Sequence, residues 1–209
     1  MTGVLFALGR EAGPFRRLVR GRTDVVVRVS GVGPTAARAA AQKLIDEVRP
    51  DRVIAAGFCG ALDPALAVGD IVVSPRILTV GHVAATPAEK AALRAVSGAD
   101  AVDMESAAVE AVCRDRGVGF VGIRAVSDAA NSSLSPELVR LLSGGEVAVS
   151  RALTAMARRP TLLREFLRLG RDTARAARAL ARALHSECTG EPGASAPEFA
   201  AHARRESGG

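Results

Sequence analysis

Short apolar runs alternate with amphipathic segments along the first 130 residues, and glycine, proline or aspartate marks most of the junctions. That alternation constrains the fold more than any other feature. Parallel strands need long crossovers, and the usual crossover is a helix. Gly3 to Leu8, Asp24 to Ser30, Arg52 to Ala56 and Gly69 to Ser74 read as strands, with another within Pro75 to Val83. Ala36 to Val48 and Pro87 to Val96 carry helical patterns, the second with proline in its first turn. Gly57-Phe58-Cys59-Gly60 reads as a glycine-rich turn that closes the third strand. The expected fold is α/β, with a mainly parallel sheet covered on both faces.

The stretch from Asp103 to Asn131 concentrates the chemistry. Glu105 stands at the start of a predicted helix that runs to Gly117. Phe120 to Asp128 then forms an apolar strand that ends in Ser127 and a carboxylate. Open α/β sheets hold ligands just beyond the carboxyl ends of their strands, so Glu105, Ser127 and Asp128 are expected in one crevice. Glu11, one turn after the first strand, joins them as a third acid at a strand end. Taken singly, Glu11 and Glu105 also suit helix N-termini, where the dipole favours negative charge.

Bulk properties narrow the function. The chain has 209 residues, 48% hydrophobic, enough for one well-buried α/β domain. Aromatic residues make up 3%, with no Trp or Tyr, so stacking platforms for nucleic acid are nearly absent. The net charge of +6 is concentrated: residues 158–184 hold eight Arg against Glu165 and Asp172. The remainder is neutral and need not bind nucleic acid. Cys59, Cys113 and Cys188 have no CxxC spacing, and three His without HExxH predict no metal site. A cytoplasmic protein is expected, without a signal peptide or a spanning segment.

Gly31-Val-Gly33-Pro-Thr-Ala36 matches a GxGxxA dinucleotide fingerprint, but it follows the second strand and lacks an acid at the next strand end. Its better use is local: backbone N–H groups at a helix start can hold an anion or a water, unless the stretch is only a tight turn. The turn at Gly57 and Phe58 can let a ligand approach the backbone. Cys59 has no nearby partner and reads as a small buried residue. Three acids around one crevice suit cleavage of a sugar–base bond. An oxocarbenium-like transition state needs a proton for the leaving group, an activated nucleophile and an anchor for the sugar hydroxyls.

Asp103-Met104-Glu105-Ser106-Ala107-Ala108 followed by Ile123-Arg124-Ala125-Val126-Ser127-Asp128 resembles the nucleoside phosphorylase and methylthioadenosine/adenosylhomocysteine nucleosidase superfamily. Ser30 to Gly33 and Val68 to Ser74 look like its other signature stretches, and the match spans about residues 3–155. The Arg-rich last segment, with Thr79-Val80 and Thr86 to Lys90, is most similar to the hopanoid-associated branch, phosphorylase or adenosylhopane nucleosidase. The resemblance implies a three-layer α/β/α domain with a mixed, mainly parallel sheet, usually dimeric or larger, working on a small nucleoside without a cofactor. It implies that Asp128 protonates N7 of the purine, positioned by Ser127. Glu105 would hold the ribose hydroxyls above Met104, and Glu11 would act as base for the attacking water. Gly57, Phe58 and Val83 would border the substrate. Gly31, Gly33 and Arg10 would serve the nucleophile or a phosphate. The alternatives are a phosphate-dependent phosphorylase and a catalytically degenerate, membrane-associated nucleoside-binding protein.

This chain departs from the pattern in places. Relatives usually carry a further helix and strand between the equivalents of Ser74 and Thr79, where only Pro75 to Leu78 remain. Val83, beside His82, takes the place of an aromatic against the base. Phe58 takes the place of a small hydroxyl residue. The expected organisation is a catalytic domain over 1–157, an Arg-rich amphipathic helix over 158–185 and a disordered tail over 186–209. Ser135-Pro136 would open a helix to about Ala157, softened at Gly144-Gly145. In the last helix Arg164, Arg168, Arg171, Arg175, Arg178 and Arg182 recur at four- and three-residue steps along one face. That face is either solvated on a docked helix or a peripheral contact with an anionic membrane.

Overall fold

The structure, a computed structural model, describes residues 1–135 and 160–190. In its sheet, β1 (Thr2–Phe6) lies between β2 (Val25–Val29) and β3 (Arg52–Ala61), parallel to both. β7 (Gly119–Asp128) runs parallel along the other edge of β3, and β4 (Ile71–Val73) pairs antiparallel with β7. The far end of β3 turns to a different neighbour. Gly60 and Ala61 pair antiparallel with β6 (Ala101–Asp103), which carries β5 (Ile77–Thr79) in parallel. The sheet is mixed and mainly parallel.

Strand periodicity divides the core in two, because successive side chains leave a strand on opposite faces. Leu5, Val53 and Ala55 face one way, against α2 (Pro34–Val48) and α4 (Ser106–Asp115), where Ala41, Leu44, Val109 and Val112 are buried. Val4, Phe6, Ile54 and Ala56 face the other way, against α1 (Gly9–Leu18) and α5 (Pro160–Thr189), through Phe15, Ala176, Leu180 and Leu184. The result is three layers. α3 (Pro87–Ser97) starts at the N-cap Thr86, whose side chain accepts a hydrogen bond from the Glu89 N–H, and ends at Gly98 in the left-handed region. Lys90 is the one residue of α3 that is fully withdrawn from solvent.

Three sequence expectations are corrected. Gly57 to Gly60 is not a turn: β3 continues through it, paired with Arg124 to Val126 and then Asp128. The partner strand supplies the hydrogen bonds that local glycine content argues against, a tertiary override of propensity. The last helix continues to Thr189, past His185, so 186–189 belong to it and not to a tail. Arg52 donates to the Glu187 carboxylate at 2.6 Å and to its carbonyl at 2.9 Å, which anchors that last turn. Gly190, with φ 71°, follows it. The fingerprint turn is the third correction, described with the site. The helix expected over 135–157 and the tail beyond residue 190 lie outside the described residues.

The apolar side of α5 is used by the domain itself. Ala176, Ala177, Leu180, Ala181 and Leu184 are buried, while Arg168, Arg171, Arg175, Arg178 and Arg182 are exposed. Among the described residues, no helix is long and apolar enough to cross a membrane.

Candidate active site

The carboxyl ends of β1, β6 and β7 come to one edge of the sheet, and a cavity opens there. Glu11 reaches it from the first turn of α1, Glu105 from the N-cap of α4, and Ser127 and Asp128 from the end of β7. Arg10, Phe58, Val83 and Met104 complete much of the wall, and α5 adds Leu169 and Thr173. The three acids separated in sequence are therefore neighbours around a single opening.

Arg124 organises the charge behind that opening. Its side chain is buried in β7, with Nη2 2.6 Å from Asp103 Oδ2 and 3.9 Å from Glu105 Oε2. Ser106 Oγ accepts from Arg124 Nη2 at 3.1 Å and itself donates to Asp103. Thr79 Oγ1 donates to the other Asp103 oxygen at 2.6 Å. A buried guanidinium needs such partners, because an unpaired charge away from water is costly.

Glu11 and Glu105 are tuned by this setting. Burial pushes the Glu11 carboxyl up to about 7, against the opposing pull of Arg124 and of the Leu8 N–H, which donates to Glu11 Oε2 at 3.0 Å. Burial likewise raises Glu105, opposed by Arg124 and by the Gly33 N–H, which donates to Glu105 Oε1 at 2.9 Å. A carboxylate that titrates near neutrality is suited to general-base work. Asp128 sits between two groups. Ser127 Oγ is 2.9 Å from Asp128 Oδ1 and 3.2 Å from the Cys59 carbonyl, so its single hydrogen serves one of them at a time. On the other side Lys90 Nζ donates to Asp128 Oδ2, and also to the Ala129 carbonyl at 2.8 Å.

Other expectations need adjustment. The N–H of Gly31 donates to the Ala7 carbonyl at 3.1 Å, and that of Gly33 is committed to Glu105. Neither is left for a phosphate, a water or a dinucleotide, so this loop positions Glu105 instead. Gly57 lies behind the wall rather than against a ligand. A Cβ there would come within 2.2 Å of Arg124 Nη1, so glycine makes room for the guanidinium. Burial raises the Cys59 thiol, in keeping with an inert packed residue. Among the described residues, no group of three or more His, Cys, Asp and Glu is placed to hold a metal ion.

Sequence reasoning assigned no part to Arg124, Asp103 or Lys90. A signal existed for the first: an arginine in the middle of the apolar run Phe120 to Val126 marks a buried charge that requires a partner. Lys90 gave no such signal, because a lysine in an amphipathic helix normally points to water.

One sheet between two helical layers, with an acid-lined cavity at its strand ends, places the chain among the three-layer α/β/α folds. The chain belongs to the phosphorylase superfamily, whose family model matches residues 8–82 and 76–168. It is thus an enzyme of the purine nucleosidase or nucleoside phosphorylase kind. The two matched pieces overlap at residues 76–82, which include β5. A 5'-methylthioadenosine/S-adenosylhomocysteine nucleosidase from Glaesserella parasuis serovar 5 is 31% identical over 160 residues, covering 52% of this chain and 70% of the relative. The enzyme of that description from Shewanella sp. (strain W3-18-1) is 29% identical over 184 residues, covering 63% and 76%. Among solved structures, a Helicobacter pylori 5'-methylthioadenosine/S-adenosylhomocysteine nucleosidase with butyl-thio-DADMe-Immucillin-A superposes with a TM-score of 0.67 at 15% identity, covering 90% of this chain and 97% of that one. The futalosine hydrolase of H. pylori strain 26695 gives 0.66 at 15% identity, with the same coverage.

Proposed function

We propose that the chain cleaves the N-ribosidic bond of a 5′-modified adenosine and releases adenine, with water as the nucleophile. The observation that carries this reading is the convergence of Glu11, Glu105 and Asp128 on one cavity. In it, Asp128 protonates N7 of the leaving purine and Ser127 orients Asp128. Glu105, held by the Gly33 N–H, accepts hydrogen bonds from the ribose 2′- and 3′-hydroxyls over Met104. Glu11 takes the proton of the attacking water. Its elevated titration near neutrality supports that role. Phe58 and Val83 border the base and sugar.

Hydrolysis is favoured over phosphorolysis because the Gly31 and Gly33 N–H groups are already engaged, which leaves Arg10 as the candidate for an incoming phosphate. The finer reading is a substrate whose 5′-group is a lipid, adenosylhopane, met at an anionic membrane surface. Its support is that α5 lines the cavity with Leu169 and Thr173 while exposing Arg168, Arg171, Arg175, Arg178 and Arg182. The buried apolar side of α5 makes such a contact electrostatic rather than insertive. Homodimer formation remains part of the proposal through family resemblance alone.

The test is release of free base from methylthioadenosine, inosine and a lipid-linked adenosine, with and without phosphate. Adenine release without phosphate supports the reading, and strict phosphate dependence replaces it with phosphorolysis. Asp128→Asn should reduce release by at least about a hundredfold, the scale of a lost general acid. An Asp128→Asn variant with wild-type activity would reject the assignment.

A further inference from the structure

We propose that Lys90 supplies, through Asp128, the proton that the departing purine receives. This inference rests on the nucleosidase reading above and adds to it a positioning residue from another element. Asp128 accepts from Lys90 Nζ on one oxygen and is within reach of the Ser127 hydroxyl on the other. A carboxyl group in that setting is an acceptor at rest, yet the reaction needs it to deliver a proton. The Lys90 ammonium is the source in direct contact.

Three observations single Lys90 out. It is 0% exposed, and it is the only residue that α3 buries so deeply, on a face where an apolar side chain would be the ordinary choice. A buried ion pair is seldom more stabilising than apolar packing of the same volume, so fold stability does not account for it. The chain also contains only two Lys, Lys43 and Lys90, among 28 Lys and Arg residues. Arginine carries nearly all the positive charge, and lysine stands where the cation touches the acid. The distinction is chemical. A guanidinium keeps its proton, whereas an ammonium can release one.

The proton balance is complete. An Nζ–H bond breaks and an O–H bond forms on Asp128, then that O–H bond breaks and N7–H forms. The electron pair of the C1′–N9 bond goes to the purine. Lys90 is left as a neutral amine and Asp128 as a carboxylate, while the attacking water gives its proton to Glu11. Exchange with solvent returns one proton to Lys90 and removes one from Glu11. The other charged groups around Lys90 are accounted for. On α3, Glu89 pairs with His82 at 2.6 Å, and Arg94 pairs with Asp63 and Asp100. On β3, Gly60 leaves room for its stem, and on β6 Asp103 is held by Arg124.

The experiment compares wild type, Lys90→Met and Lys90→Arg in adenine release from methylthioadenosine between pH 6 and 9, with the fold checked by circular dichroism. An isolated carboxylic acid ordinarily loses its proton near about pH 4 and an amine near about pH 10. Without Lys90, Asp128 must draw its proton from solvent. The wild-type to Lys90→Met ratio of kcat is therefore expected to be at least about tenfold at pH 8.5 and to narrow to within about threefold at pH 6. KM should change little. Lys90→Arg should follow Lys90→Met. A ratio that is constant with pH, or a Lys90→Arg variant with the wild-type profile, overturns the proposal, because Lys90 would then act only as a cation or a spacer. If neither variant folds, nitrogen NMR of the wild type decides. With two Lys in the chain, the Lys90 Nζ resonance is assignable, and it should titrate with the alkaline limb of kcat. An ammonium that persists through that limb overturns the proposal. A wild-type chain that releases no base from any nucleoside removes the proposed function and this inference together, whereas an active chain with a flat ratio removes only the inference.

Discussion

Gly57 and Arg124 are register partners on β3 and β7, and the guanidinium occupies the space that a side chain at 57 would fill. Gly57→Ala must push Arg124 away from Asp103, Ser106 and Glu105. Overpacking of a well-filled interior costs about 1–3 kcal/mol. Gly57→Ala is expected to lower unfolding stability in urea by that amount and to slow base release at least about tenfold, measured on the fraction still folded.

Glu11 links activity to stability with opposite signs. Its folded value of about 7 lies above the ordinary 4.5, so the fold favours the protonated form. The stability it contributes is fully present below pH 4.5 and is lost as pH rises through about 7. Glu11→Gln should therefore be more stable than wild type at pH 8, by on the order of 1–3 kcal/mol, and nearly equal to it at pH 4. Its base release should be abolished. Wild-type activity should fall as pH drops through about 7, where the base becomes protonated. Chemical denaturation at the two pH values and a pH–rate profile check both halves.

Asp103 is the main counter-charge of Arg124, and it is also held by Thr79 and Ser106. Asp103→Asn leaves a buried guanidinium without its full complement. Loss of one partner of a buried pair costs about 3–5 kcal/mol. A thermal melt should show a drop of many degrees, and substrate affinity should weaken because Glu105 is then drawn towards Arg124.

The exposed arginines of α5 predict a salt-sensitive contact with anionic lipid. With about 1 kcal/mol for each basic residue near such a surface, replacing Arg168, Arg171, Arg178 and Arg182 by Gln should abolish co-sedimentation with phosphatidylserine vesicles. Release of adenine from methylthioadenosine should be unchanged. Sedimentation that persists in high salt would instead indicate insertion, which the buried apolar side of α5 opposes.

Alternating apolar and amphipathic segments were sufficient to foresee the α/β class, most of the element order and the placement of three acids at strand ends, but not the short strand β6. These features follow from local periodicity and from the rule that strand ends gather on one edge. Strand period alone puts Val4 and Phe6 on one face and Leu5 on the other. What only the tertiary structure decided depends on partners distant in sequence. β7 turns Gly57 to Gly60 into strand by offering it hydrogen bonds. Arg124 finds Asp103 across the sheet, the Gly33 N–H is spent on Glu105, and Lys90 leaves its expected place in water to meet Asp128. Each outcome is set by which groups satisfy one another once water is excluded, and no local pattern in the chain carries that information.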